Sequence, residues 1–184
     1  MSKRIAYLAA AAFSALSLTS TFVAPARAEE KTVMVGGAAM YPSKNIIQNA
    51  VNSKDHTTLV AAVKAAGLVQ TLEGKGPFTV FAPTNTAFGK LPASTVDTLV
   101  KPENKATLTK ILTYHVVPGK LEAADLKDGQ TLKTVEGEQL TVKREGKNVM
   151  IVDAKGGTSM VTIPNVNQSN GVIHVVDTVL MPAS

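Results

Sequence analysis

The spacing of apolar positions changes character once along this chain, from a helical period in its first half to short glycine-separated runs in its second. Ile46, Ile47, Ala50 and Val51 recur at helical spacing. Leu59, Ala62, Val63 and Ala66 share a face of a second segment, which Asp55 is placed to cap and Gly67 to stop. After Gly74 and Gly76-Pro77, the run Phe78-Thr79-Val80-Phe81 is β-rich, short and ended by Pro83, which predicts one buried strand. Helical spacing returns between Leu91 and Val117, with Pro92 and Pro102 as first-turn prolines that sacrifice no intrahelical hydrogen bond. Leu108, Ile111, Leu112 and His115 follow i, i+3, i+4 and i+7 and so line one face, and Pro118-Gly119 ends the segment.

Beyond a short helical turn expected from Leu121 to Leu126, the pattern becomes strands: Thr131 to Val135, Leu140 to Arg144, Val149 to Val152, Met160 to Ile163 and Val172 to Leu180. Glu136-Gly137-Glu138 and Glu145-Gly146-Lys147-Asn148 read as turns between them. Helices first and strands later, without strand–helix–strand alternation, predict an α+β fold with a mainly antiparallel sheet. Residues 29–42, rich in small side chains and lacking a sustained period, read as an arm or linker ahead of a domain spanning 43–182.

The first 28 residues have a different character. Lys3 and Arg4 precede an apolar stretch from Ile5 to Leu18, and Ala26-Arg27-Ala28 follows it: the order of a secretory signal peptide with cleavage after Ala28. A membrane anchor needs about 20 consecutive apolar residues. This run is shorter and is interrupted by Ser14 and Ser17. The segment also changes the charge. The chain's net +5 includes Lys3, Arg4 and Arg27, so the remainder carries 16 basic against 14 acidic side chains, a net of only +2. Binding to a phosphate backbone draws on clustered Lys and Arg, so nucleic acid is excluded as the expected partner. There is no cysteine, hence no disulfide and no lipidated cysteine after the cut. The expected product is periplasmic or secreted, without stable membrane insertion.

Candidate chemistry is sparse. No Gly-x-Ser-x-Gly elbow, His-Glu-x-x-His pair, phosphate loop or Gly-x-Gly-x-x-Gly turn is present. His56, His115 and His174 are too dispersed to read as a zinc site. Asn165-Val166-Asn167-Gln168-Ser169-Asn170-Gly171 is the nearest thing to a calcium loop but carries no carboxylate, so it reads as a turn before the last strand. Were a metal present, Asp153 and Asp177 in the strand-rich half are the acidic residues to examine first. His115 and His174 lie in apolar runs, where a buried imidazole must pair its nitrogens. Each is expected to tie its element to a neighbouring backbone group. No nucleophile stands beside either in sequence, so no catalytic residue, cofactor or metal is expected.

Three ordered segments resemble one family. Phe78-Thr79-Val80-Phe81-Ala82-Pro83-Thr84-Asn85-Thr86-Ala87-Phe88 is similar to the first signature of the fasciclin domain, and the run from Asn170-Gly171 through His174 and Asp177 to Pro182 is similar to the second. Between them Tyr114-His115 sits in a segment similar to the family's Tyr-His motif. The motif positions are Thr79, Phe81, Ala82, Pro83, Asn85, Phe88, Tyr114, His115, Asn170, Gly171, His174, Asp177 and Pro182, mostly structural in role. The resemblance covers about 43–182 and implies a wedge of β-strands packed against several helices. It also implies adhesion and surface contact rather than catalysis, as in single-domain exported bacterial members.

One departure is Asn85, where an acidic residue is frequent in the family; Asn is still expected to cap the turn before Ala87 and Phe88. In animal members the Tyr-His segment is linked to integrin binding, which maps to Tyr114 and His115 as possible partner-binding residues. Tyr114, offset about 100° from His115 around a helix, is expected nearer the edge of the apolar stripe and the more available of the two. The leading expectation is an exported, non-enzymatic module that binds a cell-surface or matrix protein or glycan. The alternative is a carrier of a lipid or other apolar ligand in a groove between helices and sheet, which a cavity in the interior would favour.

Overall fold

The computed structural model describes residues 31–183; the expected signal peptide and its cleavage site lie outside them. Two short strands, β1 (Val33–Val35) and β2 (Ala38–Met40), form an antiparallel hairpin. Helices α1 (Ile46–Ala50), α2 (Thr57–Ala66) and α3 (Val69–Glu73) follow, then strand β3 (Phe78–Pro83). Three further helices, α4 (Asn85–Gly89), α5 (Ala93–Leu99) and α6 (Lys105–Tyr114), lead into β4 (Val116–Pro118). The rest is strand: β5 (Thr131–Lys133), β6 (Gln139–Glu145), β7 (Asn148–Val152), β8 (Thr158–Gln168) and β9 (Gly171–Val176).

The main sheet has the order β4-β3-β9-β8-β7-β6-β5, and only β3 and β9 run parallel. This pair is the spine of the molecule. Because side chains alternate across a strand, Val80 and Ala82 of β3 with Ile173 and Val175 of β9 face the helices and pack with Leu59, Val63, Leu108 and Ile111. On the opposite face Phe81 and Val176 join Tyr114, Leu126, Leu140, Val142 and Ile151 in a second core. The sheet curls around that second core until its ends meet, with Val135 N–H donating to the Val116 carbonyl at 2.8 Å. Helices on one face and a curled, mainly antiparallel sheet on the other make the α+β fold that the period change predicts.

Local chemistry sets the boundaries. α1 begins with a capping box, in which Asn45 accepts from Gln48 N–H while the Gln48 side chain accepts from Asn45 N–H. α2 stops at Gly67, whose φ of 74° is the left-handed geometry that glycine adopts without a Cβ penalty. Several expectations are corrected. Residues 33–40 are a hairpin of the domain rather than an arm, since Val35 and Met40 are buried in the helix-side core. Asp55 lies in a 3₁₀ turn and makes no side-chain cap to α2. Residues 121–126 form a hydrogen-bonded turn and no helix; Arg144 holds it by donating to the carbonyls of Ala123 and Leu126. Most of 165–171 is the end of β8, paired with β9, and only Ser169-Asn170 turns.

Candidate functional site

The family-like segments converge on the spine. β3 and β9 pair so that Phe78 faces Gly171 and Phe81 faces His174, and Phe81 N–H donates to the His115 carbonyl at 2.9 Å. The Tyr-His segment, at the end of α6, thus lies directly beside β3, with β3 between it and β9.

His115 is buried and caps that helix. Its Nδ1 lies 2.8 Å from the Ile111 carbonyl, and its Nε2 lies 3.0 Å from Leu180 N–H. A carbonyl only accepts and a peptide N–H only donates, so the ring is neutral with its proton on Nδ1. Burial drives its pKa down to about 4, against smaller upward pulls from the Ile111 carbonyl and from Asp153. His174 has the opposite tautomer: Nε2 donates to the Leu121 carbonyl at 2.8 Å and Nδ1 accepts from Asn165 N–H at 3.3 Å. Its ring stacks on Phe81 with centroids 5.7 Å apart, and burial lowers its pKa too. Both nitrogens of each ring are committed to the backbone, so neither is available as a general base.

Tyr114 is fully buried, which overturns the expectation that it lies at an accessible edge. Its ring belongs to the second core. Its hydroxyl donates to the Gln139 carbonyl at 3.1 Å and accepts from Ala154 N–H at 2.9 Å. Burial raises its pKa, with Ala154 N–H opposing and Asp153, Glu138 and Glu136 adding to the rise. Helical periodicity places Tyr114 off the Leu108–Ile111–Leu112 stripe, and that is correct. What it does not contain is the wall of β6 and β7 that covers the other side.

The remaining motif residues are also internal fasteners. Thr79 Oγ1 donates to the Gly119 carbonyl and accepts from Leu121 N–H. Asn170 joins three elements, accepting from Ile46 N–H and donating to the carbonyls of Leu72 and Gly74. A Cβ at Gly171 would lie 2.0 Å from the Phe78 carbonyl oxygen, so only glycine admits this close approach of β9 to β3. Ala82, Pro83, Phe88 and Pro182 are buried. Asp177 accepts from Met160 N–H and pairs with Lys90. Partial burial pushes its pKa up, but Met160 N–H, the Thr178 hydroxyl and Lys90 together hold it below the usual value. Asp153 accepts from Lys155, Gly157 and Met181 N–H groups. Among the described residues, no three His, Asp or Glu gather as metal ligands.

Asn85 corrects a further expectation. Thr84, not Asn85, caps the turn before Phe88, by accepting from Ala87 N–H. Asn85 instead caps a different helix: it accepts from Thr58 N–H at the start of α2 and donates to the Lys54 carbonyl. Asn85→Ala is expected to lower unfolding free energy by about 1 kcal/mol, the usual worth of a cap, with a matching fall in thermal midpoint. An unchanged midpoint would show that the cap contributes nothing.

The fasciclin-domain family model matches residues 54–182. The chain is 46% identical to protein sll1483 of Synechocystis over 97% of its own length and 95% of that protein. It is 35% identical to the immunogenic protein MPB70 of Mycobacterium bovis, over 95% and 96% of the two chains. It is 39% identical to the cell surface glycolipoprotein MPB83 of the same species, over 80% and 64%. In three dimensions it resembles a fasciclin-type domain pair from the insect cell adhesion molecule Fasciclin I, with a TM-score of 0.69 at 19% identity over 77% of this chain and 52% of that one. No described helix is long and apolar enough to cross a membrane. By the family-model match and these relatives, the chain belongs to the fasciclin domain family.

Proposed function

We propose that this protein is an exported, non-enzymatic contact module that meets a cell-surface or matrix protein or glycan, and that it does so through the hairpin–α1 end of the domain. The observation that carries the reading is the division between interior and exterior. The signature side chains are spent on holding the fold, including Tyr114 and His115, so recognition falls to the outside. Family membership and a relative named as a cell-surface protein support the surface setting. Met34, Tyr41 and Val51 are large apolar side chains exposed on or beside the hairpin and α1, and Met34 is the most exposed of them at 59%. Exposed aromatic and methionine side chains are the types enriched at protein contacts. The signal-like order of residues 1–28 supports export.

The test is adhesion of cells or matrix to immobilised protein, with Met34→Glu beside Met160→Glu, which alters an exposed methionine on β8. Met34→Glu is expected to cut adhesion several-fold while stability stays within about 0.5 kcal/mol of the parent; Met160→Glu is expected to adhere like the parent. Equal adhesion by all three proteins would place the contact surface elsewhere.

A further inference from the structure

Between the helices and the spine lies a cavity of about 70 Å³. Ile46 of α1, Leu59 and Val63 of α2, Val80 of β3 and Ile173 of β9 line it, together with His56. No charged side chain does. Most polar groups around it are turned onto one another or onto the backbone, with Thr71 exposed: Ser53 Oγ pairs with His56 Nδ1 at 2.9 Å, Thr113 donates to the carbonyls of Thr109 and Lys110, and His115 is doubly bonded. Water in a cavity needs two to four polar partners, and these walls offer few, which favours an apolar occupant.

His56 is the exception. It is 4% exposed, and its Nε2 is buried without a hydrogen-bond partner. The Ala82 carbonyl is near enough to favour the protonated ring, but it completes no hydrogen bond of proper geometry to Nε2, and burial dominates and lowers the pKa. Buried polar atoms are nearly always paired. A neutral imidazole with one orphaned nitrogen at an apolar, uncharged cavity is therefore half of a recognition site.

We infer that this cavity binds an uncharged aliphatic alcohol, with the hydrocarbon between α1, α2 and the sheet and the hydroxyl on His56 Nε2. A hydroxyl is both donor and acceptor, so it completes the pairing in either tautomer of the ring. A carboxylate finds no cation among the lining residues. Engineered cavities of about 150 Å³ admit benzene, and this one is under half that size, so it takes a short alcohol or the end of a longer chain. The inference goes beyond the surface role and is independent of it, because it is read on the purified protein alone.

The experiment is titration of the ¹⁵N-labelled protein by NMR with 1-propanol, sodium propanoate and xenon. Saturable shifts at Val63 and Ile173 are expected with 1-propanol and xenon, and propanoate is expected to bind at least tenfold more weakly. The His56 Nε2 resonance is expected to move with 1-propanol and stay still with xenon, a readout that needs no variant. His56→Leu is expected to keep xenon and to weaken 1-propanol about tenfold, in line with the loss of one hydrogen bond. Absence of saturable shifts, equal binding of propanoate, or a silent Nε2 overturns the inference, as does a His56→Leu variant that binds 1-propanol like the parent.

Discussion

Replacing Tyr114 with alanine is expected to lower the unfolding free energy by about 4 kcal/mol, the range found when a buried aromatic is truncated. The ring fills the space between α6 and the curled sheet, where Phe81, Leu140 and Ile151 belong to the same core. Its loss opens a cavity and also strands the Ala154 N–H and the Gln139 carbonyl. Tyr114→Phe separates the two contributions. It keeps the ring and removes only the hydroxyl, so roughly 1–2 kcal/mol is expected, mostly from the buried groups left unpaired. Urea unfolding of both variants measures this. A Tyr114→Ala protein as stable as the parent but unable to adhere would return the Tyr-His segment to the surface.

The second large effect is on acid stability. His115 has a folded pKa of about 4 against an ordinary value of 6.5. A depressed histidine binds more protons when unfolded, so its contribution is fully present above about pH 6.5 and is lost as the pH falls toward 4. At 1.36 kcal/mol per unit of pKa difference, this histidine alone removes about 3 kcal/mol across that window. His56 and His174 are lowered by burial and act in the same direction. The unfolding free energy, followed by urea titration at successive pH values, is expected to fall steeply from pH 6.5 to 4.5. His115→Gln, though less stable at pH 7, is expected to show a shallower slope. Equal slopes for parent and variant would mean that His115 is not held neutral by its burial.

The parts of this fold that were readable in the sequence are those whose periodicity is self-contained. The apolar face Leu59, Ala62, Val63 and Ala66 gives α2, and Gly67 stops it where the left-handed geometry is needed. Phe78 to Pro83 is recognisable as a strand because five of its six side chains are buried and apolar or small. The hairpin at 33–40 is illegible because its strands are three residues each, too short to establish a period. β8 runs well beyond its apolar stretch, because its second half is polar and contains Pro164; the structure pairs that half with β9 on one side only, through a register irregularity that accommodates the proline. Tyr114 shows the deeper limit. A helical wheel reports one partner surface, and the second surface around this side chain is built from residues 139–154, invisible to any local pattern. The same holds for Asn85, whose partner is a helix nearly thirty residues upstream.

The place of β9 in the sheet has a consequence for folding kinetics. The strand nearest the C-terminus is hydrogen-bonded on both sides, to β3 and to β8, and contributes side chains to both cores. Its parallel partner β3 lies more than ninety residues earlier, so the central pairing closes a very long loop, and non-local pairing of this kind slows folding. Neither core is complete in a chain that has emerged only as far as β8. Order is therefore expected to arrive in one late step, when β9 enters between β3 and β8, rather than strand by strand along the sheet.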